Sequence, residues 1–117
     1  CSFSSAELYN PKVVQSTMGS FTRVEIHYTD LESFLAKTPE DVRIFGTYLE
    51  GTDVKELKKM NGGIIVLGNE SKGISPELEK FVHQKINIPG LRNSDNKGAE
   101  SLNVAVAAGI ICSHACK

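Results

Sequence analysis

The stretch GIIVLGNESKGISPELEKFV occupies residues 63–82. It decides the fold class. Ile64-Ile65-Val66-Leu67 is a continuous apolar run of β-branched and aliphatic residues with no polar alternation. Such a run reads as a strand buried on both faces, as in a parallel sheet. Gly68 ends it, a polar loop follows, and Gly73 closes the loop. Ser75 then stands where a helix cap belongs, Pro76 fits the first helical position, and Glu77 and Glu79 suit the positive end of a helix. A buried strand, a glycine-flanked loop and a capped helix in succession form the repeating half of a βαβ unit.

The rest of the chain alternates in the same way. YNPKVVQSTMG (9–19) reads as a helix, with Asn10 as cap, Pro11 at the first position and Gly19 as terminator. RVEIHY (23–28) alternates and predicts a strand. DLESFLAK (30–37) carries Asp30 as cap and Leu31, Phe34 and Leu35 at helical spacing. VRIFGTYL (42–49) predicts another strand, TDVKELKKM (52–60) a short helix or helical turn, SPELEKFV (75–82) a helix, and KINIP (85–89) a last strand. The polar segment GLRNSDNKGAE (90–100) reads as a surface loop before a closing helix at about 102–115. Strands alternating with helices predict one α/β domain with a mainly parallel sheet. Cys1-Ser2-Phe3 reads as the tail of a strand, so the chain is expected to begin partway through a larger domain.

The 117 residues suit a single domain, and 40% apolar with 23% charged residues suits a globular one. No apolar run reaches the ~18–20 residues of a membrane span, and no signal-peptide pattern opens the chain. The formal net charge of −1 neither implies nor excludes a nucleic-acid partner. Cys1, Cys112 and Cys116 are odd in number, and two of them lie four apart in a helix, where disulfide geometry is poor. They read as reduced core cysteines of a cytoplasmic protein, and a metal site of Cys112, His114 and Cys116 is disfavoured.

Two nucleotide loops can be tested on the glycines. Gly68 and Gly73 have the gap of a phosphate-binding P-loop, but Lys72 precedes the second glycine and Ile74 follows it, so the required Gly-Lys-Ser/Thr is absent. No G-x-G-x-x-G occurs either. Glu70 has two readings: a solvated loop acid, or an acid beside a ligand pocket at the carboxyl end of a strand, where open α/β sheets bind ligands.

Three stretches together resemble the SPOUT class of RNA methyltransferases, in the SpoU/TrmH branch. NPKVVQSTMGSFTRVEI (10–26) is similar to that branch's Pro-Lys-x-x-Arg-x-x-Met-Gly segment and following strand. LGNESKGIS (67–75) is similar to its second motif, and INIPG…ESLNVAVAAGI (86–110) to its third. The resemblance spans nearly the whole chain. It implies a Rossmann-like parallel sheet with a C-terminal trefoil knot, S-adenosylmethionine held in the knot, and a homodimer packed through it. It implies methyl transfer to a ribose 2′-hydroxyl of tRNA or rRNA, with neither a metal nor a membrane involved. Carried over by position, the cofactor pocket takes Thr47, Leu49 and Gly51 from one strand end, Leu67, Gly68 and Ile74 from the second motif, and Ile88, Leu102 and Val104 from the third, with Pro89 shaping that loop. The carboxylate of the active site falls on Glu70, its serine on Ser101 and its asparagine on Asn103.

The resemblance further implies that Ser101 accepts or relays the proton of the attacking hydroxyl, that Asn103 fixes the serine loop and the cofactor, and that Glu70 holds an arginine or the sugar. That arginine belongs to a first motif, Asn-x-Gly-x-x-x-Arg, which does not occur in residues 1–117. The expectation is therefore an N-terminally truncated domain. Gln15 stands where the branch often has arginine, and residues 90–99 make a longer link than usual. Lys12, Arg23, Lys72, Arg92 and Lys97 are candidate contacts to RNA phosphates, which position RNA without reading its sequence. Two other readings are a non-catalytic RNA-binding or assembly protein on the same fold and a flavodoxin-like flavin or nucleotide module. An upstream arginine motif would separate the first from the enzyme. Flavin absorbance would mark the second.

Overall fold

A computed structural model describes residues 1–57, 62–89 and 102–115. The chain divides into two compact units, Cys1–Lys37 and Thr38–Lys117.

In the first unit, α1 spans Pro11–Ser16. Its start is as expected: the Asn10 side chain accepts from the Lys12 amide at 2.9 Å, and Pro11 opens the helix. The Ser16 and Thr17 hydroxyls donate to the carbonyls of Val13 and Val14, which closes the last turn. Met18 (φ 51°) and Gly19 (φ 79°) then reverse the chain into a 3₁₀ turn at Ser20–Arg23. The second helix, α2, is Leu31–Ala36, capped by Asp30 and anchored by buried Leu35. The Ser33 hydroxyl donates to Asp30 at 2.6 Å and, with the amides of Glu32 and Ser33, holds that carboxyl below its ordinary range.

The strand expected at 23–28 does not form. Arg23 ends the 3₁₀ turn, and Val24 is extended but 63% exposed. Alternating residues make a strand only where a neighbour takes up the backbone groups. Within this unit the one described neighbour is Cys1, whose amino group donates to the His27 carbonyl at 2.6 Å and whose carbonyl accepts from the Thr29 amide at 2.9 Å. That is a single rung of a parallel ladder. Ser2–Ser5 turn away at once, with the Ser5 amide on the Ser2 carbonyl.

The second unit holds a wholly parallel three-stranded sheet in the order β2-β1-β3. The central strand β1 is Ile44–Asp53, β2 is Ile64–Val66 and β3 is Gln84–Asn87. Ile44, Phe45 and Gly46 of the central strand are buried, whereas in β2 only Val66 is, Ile64 and Ile65 being half-buried because β2 is paired on one side only among the described residues. β2 is shorter than the run 63–68 because Leu67 and Gly68 leave the ladder for the loop. Beyond β1 the chain makes a 3₁₀ turn at Val54–Glu56, capped by Asp53 on the Lys55 amide at 2.8 Å. The rest of the expected turn, 58–60, lies outside the described residues. The helix expected at 75–82 is a single turn, α3, Pro76–Glu79. It unwinds through successive 3₁₀-type bonds, Phe81 to Leu78 and Val82 to Glu79, to reach β3. His83 aligns that entry: its amide donates to the Ile44 carbonyl, and its Nδ1 accepts from the Ile44 amide, both at 2.9 Å.

The closing helix, α4, is Val104–Ala115. It turns Ile111 and Ala115 inward, four residues apart, and Ile110 partly so. Phe45, Val54, Ile86 and Ile111 form the core, with Leu57, Ile65, Ile88 and Ile110 packed around it. Ile86 and Ile111 are wholly inaccessible to solvent. Cys112 is exposed, contrary to the core reading, because the next residue along a helix is rotated about 100° from buried Ile111. Cys116 lies outside the described residues. Along α4, Ala105 and Gly109 are exposed, while Ala107 and Ala108 are half-buried.

Candidate active site

β1 is interrupted. Thr47 and Thr52 both stand opposite Ile86 of β3, so Tyr48-Leu49-Glu50-Gly51 loops out of the ladder and the strand then resumes. A bulge of this kind re-aims side chains at the end of a sheet. It presents Leu49, 57% exposed, and Glu50 toward solvent. Gly51 lies so close to β3 that a Cβ there would fall 2.7 Å from the Lys85 carbonyl oxygen. Only glycine permits that approach.

β3 holds the bulge with three of its four side chains. Gln84 Nε2 donates to Thr52 Oγ1 at 3.4 Å, and Asn87 Nδ2 donates to the Leu49 carbonyl at 3.2 Å. Lys85 Nζ lies 4.4 Å from the centroid of the Tyr48 ring and is paired with Glu79 at 2.5 Å. The hydrogen bond from Lys85 to Glu79 raises the lysine pKa. Burial raises that of Tyr48, with Glu79 adding to the effect and Lys85 opposing it. The fourth side chain, Ile86, enters the core.

Next to the bulge is the end of β2. Thr47 Oγ1 donates to the Val66 carbonyl at 3.4 Å, which ties the last residue of β1 paired before the bulge to the residue before Leu67. The loop after Gly68 is closed on itself. Asn69 and Gly73 exchange both backbone bonds, at 3.0 and 2.8 Å, and Asn69 Oδ1 accepts from the amides of Ser71 and Lys72 at 2.9 and 3.1 Å. The amides of Asn69, Ser71, Lys72 and Gly73 are therefore consumed within the loop and are not offered to a phosphate, which adds a physical reason to the spacing why this is no P-loop. Gly68 packs against the far side of the loop: a Cβ on it would lie 2.5 Å from the Gly73 carbonyl carbon and 2.7 Å from the Ile74 nitrogen. Gly68 and Ile74 are thus neighbours.

Of the expected cofactor residues, the structure brings Thr47, Leu49 and Gly51 to the end of β1, Leu67, Gly68 and Ile74 to the end of β2, and Ile88 to the residue after β3. Leu49 and Leu67 expose apolar surface there. Leu102, 44% exposed, and half-buried Val104 stand at the start of α4. Asn103 is the cap of α4: its Oδ1 accepts from the amides of Ala105 and Val106 at 3.0 and 3.4 Å, and its carbonyl accepts from Ala107. The Asn103 Nδ2 has no partner among the described residues. Glu70 sits exposed at the tip of the closed loop, with no hydrogen bond or ion pair to another described residue. Ser101, Arg92 and Lys97 lie outside the described residues. Lys12 and Arg23 are exposed on the first unit, and Lys72 is exposed on the second.

Sequence reading missed the bulge and the residues that hold it. Asn69, an asparagine four residues before a glycine, carried a legible turn signal. Asn87 carried none, because nothing local marks a side chain that bonds across to a bulge in another strand.

Comparison with known proteins agrees with this fold. The chain is 30% identical over 111 residues to the 23S rRNA (guanosine(2553)-2′-O)-methyltransferase RlmP of Bacillus subtilis, a match covering 93% of this chain and 43% of that protein. It is 35% identical over 101 residues to the tRNA (guanosine(18)-2′-O)-methyltransferase of Aquifex aeolicus, covering 81% of this chain and 44% of that one. The AdoMet-bound rRNA methyltransferase of Sinorhizobium meliloti superimposes with a TM-score of 0.79 at 26% identity, over 97% of this chain and 43% of that one. The chain thus spans less than half the length of each of these three. The sequence profile of the SpoU rRNA methylase family matches residues 2–113, and with the parallel sheet and strand-end loops in place, the chain belongs to that family.

Proposed function

We propose that this chain contributes the cofactor-holding side of an S-adenosylmethionine-dependent RNA methyltransferase that methylates a ribose 2′-hydroxyl of tRNA or rRNA. The observation that carries this reading is the bulge in β1. By doubling Thr47 and Thr52 against one residue of β3, it puts Leu49 out of the ladder between Thr47, bonded to the Val66 carbonyl just before Leu67, and Gly51, packed against β3, while Gly68 packs against Ile74 and Ile88 follows β3. Exposed leucines beside exposed backbone suit a flat heteroaromatic ring, which needs apolar faces and a few fixed polar groups at its edge. The relatives' names support the reaction and the RNA substrates, and the AdoMet-bound neighbour supports the cofactor.

S-adenosylmethionine, when bound, supplies a methyl group on a positively charged sulfur, already a good electrophile. What remains for the chain is alignment and the proton. Holding the hydroxyl in line with the methyl group removes much of the entropic barrier. The attacking hydroxyl must lose its proton as the new C–O bond forms, and Ser101 is the proposed acceptor or relay. Asn103 has its oxygen committed to the cap of α4, which leaves the amide Nδ2 as the group free to hold the serine loop or the cofactor. Glu70, exposed at the tip of the closed loop, is the proposed partner of a sugar hydroxyl or an arginine. Lys12, Arg23 and Lys72 are proposed phosphate contacts. A trefoil knot at the C-terminal segment, a homodimer packed through it and a cytoplasmic location complete the reading.

Calorimetric titration of the full-length protein with S-adenosylmethionine and S-adenosylhomocysteine tests it. Saturable binding of both is expected, and a folded protein that binds neither refutes the cofactor assignment. RNA nucleosides from cells with and without the gene should then differ by one 2′-O-methylated nucleoside. A single-turnover methylation rate unchanged by Ser101→Ala would refute the proton relay.

A further inference from the structure

We propose that Asn87 is a positioning residue that sets the shape of the Tyr48–Gly51 bulge for the cofactor, through its hydrogen bond to the Leu49 carbonyl. The proposal rests on the cofactor reading above. Four residues that leave a ladder have backbone groups without sheet partners, and such a loop is mobile unless something replaces the lost bonds. Here the replacement comes from β3. Gln84 reaches the Thr52 side chain, and Lys85 covers the Tyr48 ring while paired with Glu79. Both of these act on side chains at the margins of the bulge. Asn87 Nδ2, at 3.2 Å from the Leu49 oxygen, is the one β3 side chain bonded to the backbone of the looped residues.

That bond also fixes which way the Leu49 peptide points. With the carbonyl turned toward β3, the amide of the same peptide, that of Glu50, is turned the opposite way, because a peptide is planar and trans. Leu49 itself keeps its side chain 57% exposed. With Thr47, just before the bulge, bonded to the Val66 carbonyl, this peptide edge is the one the proposal assigns to a planar ligand. Loss of the Asn87 donor would let the peptide rotate and would make ligand binding bear the cost of ordering it.

The test uses the full-length protein with Asn87→Asp, which keeps the shape and removes the donor, and Asn87→Ala. Amide hydrogen exchange of the ligand-free protein should show faster exchange at residues 49–51 in both variants, with α4 and β2 unchanged. The Kd for S-adenosylhomocysteine and the KM for S-adenosylmethionine should rise about threefold to tenfold, the loss expected for one net hydrogen bond. The kcat at saturating cofactor should stay within about twofold, and the urea midpoint should fall by no more than about 0.5 M, as for one lost hydrogen bond. Exchange at 49–51 and the Kd both equal to wild type would overturn the proposal. So would a KM unchanged with kcat reduced, which would place Asn87 in the chemistry instead. Wild-type protein that binds no S-adenosylhomocysteine, with exchange still accelerated in the variants, would refute the cofactor reading and with it the role assigned to the bulge.

Discussion

Gly68→Ala isolates the contact on which the loop between β2 and α3 depends. The added Cβ would lie 2.5 Å from the Gly73 carbonyl carbon, 2.7 Å from the Ile74 nitrogen and 2.8 Å from the Gly73 Cα. Ordinary non-bonded carbon contacts are about 3.5–4.0 Å, so the loop must retreat by roughly 1 Å. All three atoms are backbone, so no side chain can rotate away. The loop is closed by the Asn69–Gly73 pair at 3.0 and 2.8 Å, and a shift of that size carries both bonds beyond useful range. Two net hydrogen bonds at about 0.5–1.5 kcal/mol each give a loss of about 1–3 kcal/mol. With a urea slope of about 1–3 kcal/mol/M, the midpoint should fall by about 1 M. The same retreat moves Ile74 and frees Glu70 from its fixed tip, so affinity for S-adenosylhomocysteine should drop with stability. Urea denaturation and calorimetry on the same samples measure both. A midpoint and a Kd indistinguishable from wild type would show that the loop yields at no cost, and the reasoning about its closure would be wrong.

Asn103 separates capping from chemistry. Asn103→Ala should cost about 1 kcal/mol through the lost cap, whereas Asn103→Asp keeps an acceptor there and should leave the urea midpoint unchanged or raised while methyl transfer falls, because the amide donor is gone; full activity in Asn103→Asp would refute the role given to Nδ2. The Tyr48 hydroxyl is buried without a partner among the described residues, so Tyr48→Phe should stabilise the protein by about 1 kcal/mol and raise the melting temperature by about 3–5 °C in calorimetry, a fall counting against its isolation. Glu77 has its carboxyl pKa lowered by its own backbone N–H and by the Ser75 hydroxyl. Its stabilising effect is therefore present above the unfolded pKa and lost as pH falls through the lower folded value. Glu77→Gln should have a lower urea midpoint than wild type at neutral pH, and the two curves should converge once both carboxyl states are protonated; a gap that persists in acid would assign the effect to packing. Ile86→Ala, at a wholly buried site between β1 and α4, should cost about 2–5 kcal/mol in urea denaturation, and a loss below about 1 kcal/mol would mean the core collapses around the gap.

Much of this protein was legible in the order of its residues. Asn10 and Asp30 mark helix starts through a short side chain that caps the next amides, and that signal is local. The unbroken Ile64–Val66 run marked a parallel strand, and the pairing with β1 is parallel, though only Val66 of the three is buried. The family motifs fall on loops that follow strands and on the start of α4, which is where the structure has Glu70, Leu67, Gly68, Ile74, Ile88 and Asn103. What alternation at 23–28 could not tell is whether a neighbour would complete the ladder, since pairing is a property of two segments and a pattern belongs to one. The same limit hid Cys112 on the solvent side of α4, where helical phase depends on which residues meet the sheet. The bulge in β1 is the clearest case. Nothing in Thr47-Tyr48-Leu49-Glu50-Gly51-Thr52 announces that both threonines oppose Ile86. That register is set by Gln84, Lys85 and Asn87 on a strand more than thirty residues away in sequence, and only the fold brings them within hydrogen-bonding reach.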